Sequence, residues 1–164
     1  MYKTLDLSRE IKIIISDFDG IFTDNNILIS ESGSTYKRLN YKDIMGVSVA
    51  KKNGIIVAIV SGDISPSIDF LGQRFSLDDI HQGVREKLPV VKSILEKYNL
   101  LPDNAVYLGD DINDIQSLEY IKYAVIPAHA NYKVKAVEGV QIANSLAGDG
   151  LFREVVDNII ELKK

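Results

Sequence analysis

The chain has 164 residues, enough for one domain with a sizeable core, and its 46% apolar and 26% charged residues are the balance of a globular protein. A net charge of −4 with no basic block argues against a nucleic-acid-binding surface. The absence of cysteine excludes disulfides, thiolate metal sites and cysteine nucleophiles, and the longest apolar runs are too short to cross a bilayer.

Residues 1–10 are polar and mixed, with no hydrophobic signal core, so a cytoplasmic protein is expected. Residues 11–15 are β-branched except for Lys12 and lack helical periodicity, which predicts a buried parallel strand. Asp17 and Asp19 stand where that strand ends, just before Gly20, where the chain can turn. In open α/β sheets ligands bind at the carboxyl ends of strands. Two carboxylates crowded there are unfavourable unless a cation or a catalytic task requires them.

A polar turn over 23–26 leads into segments 27–30 and 34–39, which face each other across Glu31, Ser32 and Gly33 as a β-hairpin. Residues 43–53 predict a helix with Ile44, Val47, Val49 and Ala50 apolar and Lys51 and Lys52 at its C-terminal end. A second buried strand over 55–60 runs into Ser61, Gly62 and Asp63. Ser65 and Pro66 then have the N-cap and first-turn chemistry of a helix reaching about Arg74. A short strand is expected over 80–82. Leu88, Val91, Ile94 and Leu95 space a helix over 87–99. A buried strand over 105–108 ends at Gly109, Asp110 and Asp111. A helix over 113–121, a strand over 123–126 and a helix over 153–162 complete the series. This alternation predicts an α/β fold, a three-layer parallel sheet with helices on both faces and a β-hairpin flap, as one domain over 1–164.

Four polar clusters fall just beyond buried strands: Asp17 with Asp19, Ser61 with Gly62, Lys87, and Asp110 with Asp111 and Asp114. Phosphoryl transfer needs a nucleophile, a divalent cation, a cationic side chain and an acid for the leaving oxygen. Asp17 and Asp110 are hard oxygen donors suited to Mg²⁺, with Asp19 beside them as a further metal-site residue. Asp17 is the candidate nucleophile, forming an aspartyl-phosphate, and Asp19 the acid and base. Ser61 and the amides around Gly62 are placed for phosphate oxygens. Lys87 neutralises charge and orients Asp17. Thr23 and Asp63 are expected at the substrate. Asp114 either orients the metal shell or stabilises a helix N-terminus. His81 and His129 have no partner pattern for a metal, and Arg153 is expected in a surface ion pair.

Together, the segment from Asp17 to Asp24, Val60-Ser61-Gly62, Lys87 and Gly109-Asp110-Asp111-Ile112-Asn113-Asp114 resemble the four motifs of the haloacid dehalogenase superfamily. Tyr36 to Asn40, His81-Gln82-Gly83-Val84 and Gly148 to Glu154 are similar to its octulosonate- and nonulosonate-phosphate phosphatases. The resemblance implies a Rossmann-like core, Mg²⁺ dependence, a small sugar-acid phosphate as substrate, a place in lipopolysaccharide biosynthesis and a homotetramer. At the position after Ser61 and Gly62 the octulosonate branch usually carries Arg and the nonulosonate branch Glu, whereas this chain has Asp63.

Relatives that choose small substrates usually insert a cap domain after the first motif or between the second and third. Here residues 27–39 and 63–86 are too short for one, so an open site or a lid from a neighbouring subunit is expected. Tyr36, Lys37 and Arg38 belong to a subunit interface or to the site entrance. The alternatives are another phosphotransferase, such as a mutase, or a non-catalytic oligomerisation domain like that fused to acylneuraminate cytidylyltransferases.

Overall fold

The computed structural model describes residues 4–77 and 79–164. In chain order the elements are β1 (Ile13–Ser16), β2 (Ile27–Ile29), β3 (Thr35–Lys37), α1 (Tyr41–Lys52), β4 (Ile56–Val60), α2 (Pro66–Phe75) and β5 (Asp79–His81). Then follow α3 (Lys87–Lys97), β6 (Ala105–Leu108), α4 (Ile115–Tyr120), β7 (Tyr123–Ile126), α5 (Tyr132–Lys135), β8 (Gln141–Ile142) and α6 (Leu151–Leu162). Short 3₁₀ turns cover Pro102–Asn104 and Ile112–Asp114.

Six strands form one parallel sheet in the order β5-β4-β1-β6-β7-β8, and β2 and β3 form a separate antiparallel hairpin. β1 is central, with Ile13 in register with both Ile56 and Ala105. Its apolar side chains are fully buried and alternate between the two faces. Ile14 packs on one side with Val47, Leu71, Val155 and Ile159. Ile13 and Ile15 pack on the other with Val91, Ile94 and Leu118. Each such isoleucine contributes about 1.5–3 kcal/mol by leaving water. The strand therefore cannot slip by a residue without exposing both cores. The chain adds β4 and β5 on one side of β1, then returns to add β6, β7 and β8 on the other. The crevice at the carboxyl ends of β1 and β6 is the point where that order reverses.

Element boundaries moved modestly from the expectations. The first strand lies at Ile13–Ser16, shifted toward the acidic pair, and the short strand at Asp79–His81. The expected helix over 113–121 is split into a 3₁₀ turn and α4. The last helix begins at Leu151, two residues early. α5 and β8 were not anticipated. Asn40 and Ser65 cap α1 and α2, each accepting a hydrogen bond from the amide two residues on. Among the described residues no cap domain interrupts the fold, and the hairpin alone separates β1 from α1. Among the described residues no helix is long and apolar enough to cross a membrane.

Candidate active site

A cleft of about 320 Å³ opens at the carboxyl ends of β1, β4 and β6, lined by Asp17, Asp19, Asn25, Ser61, Asp63 and Asp110 among others. The backbone turns that deliver these groups are tightly specified. Gly20 has φ +78°, and a Cβ there would lie 2.0 Å from an oxygen of Asp110, so only glycine lets the two acidic loops meet. At Gly109 a Cβ would come within 2.5 Å of the Asp114 carboxyl carbon.

Lys87, the first residue of α3, is only 1% exposed. Its ammonium lies 2.6 Å from Asp17 Oδ2 and 2.8 Å from Asp114 Oδ1. Burial alone lowers its pKa, but Asp17 and Asp114 hold it above the ordinary value, so the ammonium stays charged. Tyr107 Oη donates to Asp114 Oδ1 at 2.7 Å, and the amides of Asp110 and Asp111 donate to Oδ2 at 3.0 and 3.2 Å. With four donors the Asp114 carboxylate is saturated. It acts as a brace that fixes Lys87 and the Asp110 loop.

Asp17, Asp110 and Asp114 offer oxygens within 4.8 Å of one another, all buried. One ammonium does not balance them. Burial, then the charge of Asp114, pushes the Asp17 carboxyl well above its usual range against the pull of Lys87. Asp110 is pushed up to about 6, by burial and by Asp114 and Asp111, against a hydrogen bond from Asn25. Such carboxylates call for a cation. Because Asp114 is saturated, Asp17 and Asp110 are the side chains left to hold it. Two carboxylates and room for water suit Mg²⁺.

The Asp19 carboxylate does not join this acidic group. It accepts from Lys37 Nζ at 2.6 Å and from Thr23 Oγ1 at 3.0 Å, which hold the side chain apart from the Asp17, Asp110 and Asp114 oxygens. Thr23 is buried, and its hydroxyl is committed to Asp19 and to the amides of Gly20 and Asn25. It therefore helps to hold the Asp19 carboxylate in place. Ser61 is also buried, its Oγ accepting from the Asp63 amide at 3.2 Å, while Gly62 stands opposite Asn113 on the cleft wall. Asp63 pairs with Lys37 at 2.7 Å.

Three participants escaped the sequence reading. Asn25 donates to Asp110 Oδ2 at 2.7 Å from a left-handed backbone (φ +63°), a conformation asparagine tolerates better than most residues. Tyr107 braces Asp114 from inside an apolar strand. Lys37 was assigned only to an interface or entrance, yet it bonds Asp19 directly. Arg153 forms the expected surface pair, with Asp157 at 2.8 Å. His129 is exposed and lies outside the cleft lining.

Parallel Rossmann-like sheet, paired aspartates after β1, buried lysine and braced acidic loop after β6 define a hydrolase of the haloacid dehalogenase type. The sequence pattern of haloacid dehalogenase-like hydrolases matches residues 69–154, and the chain belongs to that family. Among its relatives, the 3-deoxy-D-manno-octulosonate 8-phosphate phosphatase of Escherichia coli K12 is 30% identical over 155 residues, covering 93% of this chain and 81% of that protein. The crystal structure of the same-named phosphatase of Moraxella catarrhalis, in complex with magnesium, phosphate and KDO, has a TM-score of 0.88 and 27% identity. The match covers 94% of this chain and 88% of that one. The cobalt-bound phosphatase of Haemophilus influenzae shares the fold, with a TM-score of 0.87 at 24% identity over 94% of this chain and 90% of that one. The enzyme class that family and site define together is a phosphoric monoester hydrolase.

Proposed function

We propose that this chain is a Mg²⁺-dependent phosphatase acting on a sugar-acid phosphate of the 3-deoxy-octulosonate 8-phosphate or nonulosonate 9-phosphate kind, through an aspartyl-phosphate on Asp17. The observation that carries this reading is the buried Asp17–Lys87–Asp114 array facing Asp110, an excess of negative charge that a divalent cation would complete.

The residues divide the work as follows. Mg²⁺ held by Asp17 and Asp110 gathers phosphate charge and leaves one Asp17 oxygen as nucleophile. Lys87 holds that carboxylate in one rotamer and pulls it toward the ionised form against the burial and the Asp114 charge that raise its pKa. Asp17 attacks phosphorus, the bond from phosphorus to the sugar oxygen breaks, and Asp19 gives its proton to the departing alkoxide. Asp19 then takes a proton from water, which attacks phosphorus and releases inorganic phosphate with Asp17 regenerated. The Gly62 backbone on the cleft wall receives phosphate oxygens, and Thr23 keeps Asp19 in place.

The same reading makes the protein a cytoplasmic enzyme of lipopolysaccharide synthesis with a small-molecule substrate. It also makes it a homotetramer whose hairpins lie against a neighbouring subunit and cover the otherwise open site. Supporting that assembly is a hairpin with Ile27, Leu28, Ile29 and Tyr36 all exposed.

The test is phosphate release from a panel of phosphoesters with Mg²⁺. Asp17→Asn should abolish turnover. Asp19→Asn should slow sugar phosphates about 10²- to 10⁴-fold, with a much smaller effect on p-nitrophenyl phosphate, whose leaving group needs no proton. Equal losses on both would remove Asp19 from the acid role. Absence of phosphate release across the whole panel would favour a non-catalytic oligomerisation domain instead.

A further inference from the structure

The hairpin lysine has a role in the cleft. Thr35 and Tyr36 on β3 are exposed, yet the Lys37 side chain is only 10% exposed. Its ammonium donates to Asp19 Oδ2 at 2.6 Å and to Asp63 Oδ2 at 2.7 Å, and stands 5.8 Å from the centre of the Phe18 ring. The bland reading is a surface ion pair of small energetic value. That does not account for an ammonium withdrawn from water to bridge two carboxylates from different strand-end loops, one of them the acid of the proposed reaction. Lysine has three N–H donors, so it can hold both and still reach a third acceptor.

Asp63 gives the bridge its meaning. It lines the catalytic cleft and also a second groove of about 370 Å³, with Tyr36, Ile64, Ser67 and Phe70. That groove pairs exposed apolar faces (Tyr36, Ile64, Phe70) with a carboxylate and a hydroxyl. Such a surface suits a polyhydroxylated leaving group, whose C–H face lies on apolar side chains and whose hydroxyls donate to a carboxylate. Asp19 and Asp63 both line the cleft and Asp63 also lines the groove, so a leaving group that extends from cleft to groove would pass Asp63.

We infer that Lys37 is a positioning residue that ties recognition of the leaving group at Asp63 to placement of the acid Asp19, so that selectivity for sugar phosphates over simple phosphoesters passes through it. This rests on the phosphatase reading and adds a specificity device to it. A hydroxyl donating to Asp63 restrains the carboxylate on which Lys37 leans, and Lys37 in turn fixes the orientation of the Asp19 carboxyl. A substrate with no hydroxyl to offer gains nothing from this bridge.

The experiment compares wild type, Lys37→Met, Lys37→Gln and Lys37→Arg on 3-deoxy-octulosonate 8-phosphate and p-nitrophenyl phosphate, with Mg²⁺, after light scattering and melting have shown each variant folded and assembled as wild type. On the sugar phosphate, Lys37→Met and Lys37→Gln should lower kcat about 10²-fold with KM changed by less than roughly threefold. On p-nitrophenyl phosphate kcat/KM, which reads formation of the aspartyl-phosphate before Asp19 acts as base, should fall by less than roughly threefold, against about 10²-fold on the sugar phosphate, and Lys37→Arg should restore part of the sugar-phosphate rate. Asp63→Asn should lower the sugar-phosphate rate, and combined with Lys37→Met should cost far less than the product of the single losses. Equal losses on both substrates, unchanged rates, or an effect confined to KM would each overturn the inference. If the wild type hydrolyses neither compound, it is the phosphatase reading that fails. If it hydrolyses both and the variants do not discriminate, only the role of Lys37 fails. Should Lys37→Met not fold, Lys37→Gln, which keeps length and polarity, decides the matter alone.

Discussion

Asp110 shows at the scale of one residue why the site favours a cation. Its carboxyl titrates at about 6 in the folded chain, raised by burial and by Asp114 and Asp111. An unfolded aspartate titrates near ~3.9. The folded value is the higher one, so the fold prefers the protonated form. Without a divalent cation, this residue's contribution to stability is present at low pH and is lost as pH rises from the unfolded value through about 6. The full difference is worth about 3 kcal/mol. Asp17 pushes in the same direction. Melting in the presence of a chelator should therefore show Asp110→Asn gaining on wild type as pH rises from about 4 to about 7. Adding Mg²⁺ at neutral pH should raise the wild-type melting temperature and leave Asp110→Asn almost unmoved. If the gap between the two proteins were flat across that range, Asp110 would not be the strained ligand described here.

Among the elements, α6 depends on a residue from another helix. It starts after Gly150, which has φ +102° and no side chain to cap with. The buried carboxylate of Asp43, on α1, takes over: Oδ2 accepts from the Gly150 amide at 2.9 Å and Oδ1 from the Arg153 amide at 3.1 Å. Removing it leaves buried N–H groups unpaired. Asp43→Ala should destabilise the protein by about 1–3 kcal/mol, read as a fall in denaturation midpoint, and Asp43→Asn should cost less because its carbonyl oxygen can still accept one of the bonds. The long-range cap also explains what sequence could not reveal about this helix, since the apolar periodicity locates it but the cap that sets its start lies 107 residues away. Buried strands such as β1, β4 and β6 were legible because parallel strands covered on both faces read as unbroken apolar runs. β8, two residues at the sheet edge, has no such run, and α5 is a single turn capped by Asn131 inside a loop. In the site, Asp17, Asp110 and Lys87 were legible from motif order at strand ends. The orientation of Asp19 was not, because it is set in part by Lys37, which arrives from a hairpin with no sequence link to the acidic pair.

The hairpin poses the question at the scale of the whole molecule. β2 and β3 pair only with each other, and a lone two-stranded ribbon is marginal in water. It nevertheless displays Leu28 at 74% and Ile29 at 65% exposure, with Ile27 and Tyr36 beside them. An apolar patch of this kind on a projecting ribbon marks a surface for another to cover, as the proposed assembly would do. Because Lys37 sits on the same ribbon and bonds Asp19, covering the hairpin also steadies the acid. Assembly and catalysis should then fail together for demanding substrates. Leu28→Asp, placing a charge in the proposed contact, should convert the proposed tetramer to smaller species by light scattering. The sheet core, which Leu28 does not touch, should melt within a few degrees of wild type. Turnover of the sugar phosphate should drop about tenfold or more as the hairpin loosens and the lid departs, while p-nitrophenyl phosphate, which needs neither lid nor acid, should be hydrolysed at nearly the wild-type rate. An unchanged mass for Leu28→Asp would show that the patch is not the contact. A monomeric variant with full sugar-phosphate activity would show instead that the hairpin holds Lys37 in place unaided, and that the open cleft selects its substrate without a neighbour.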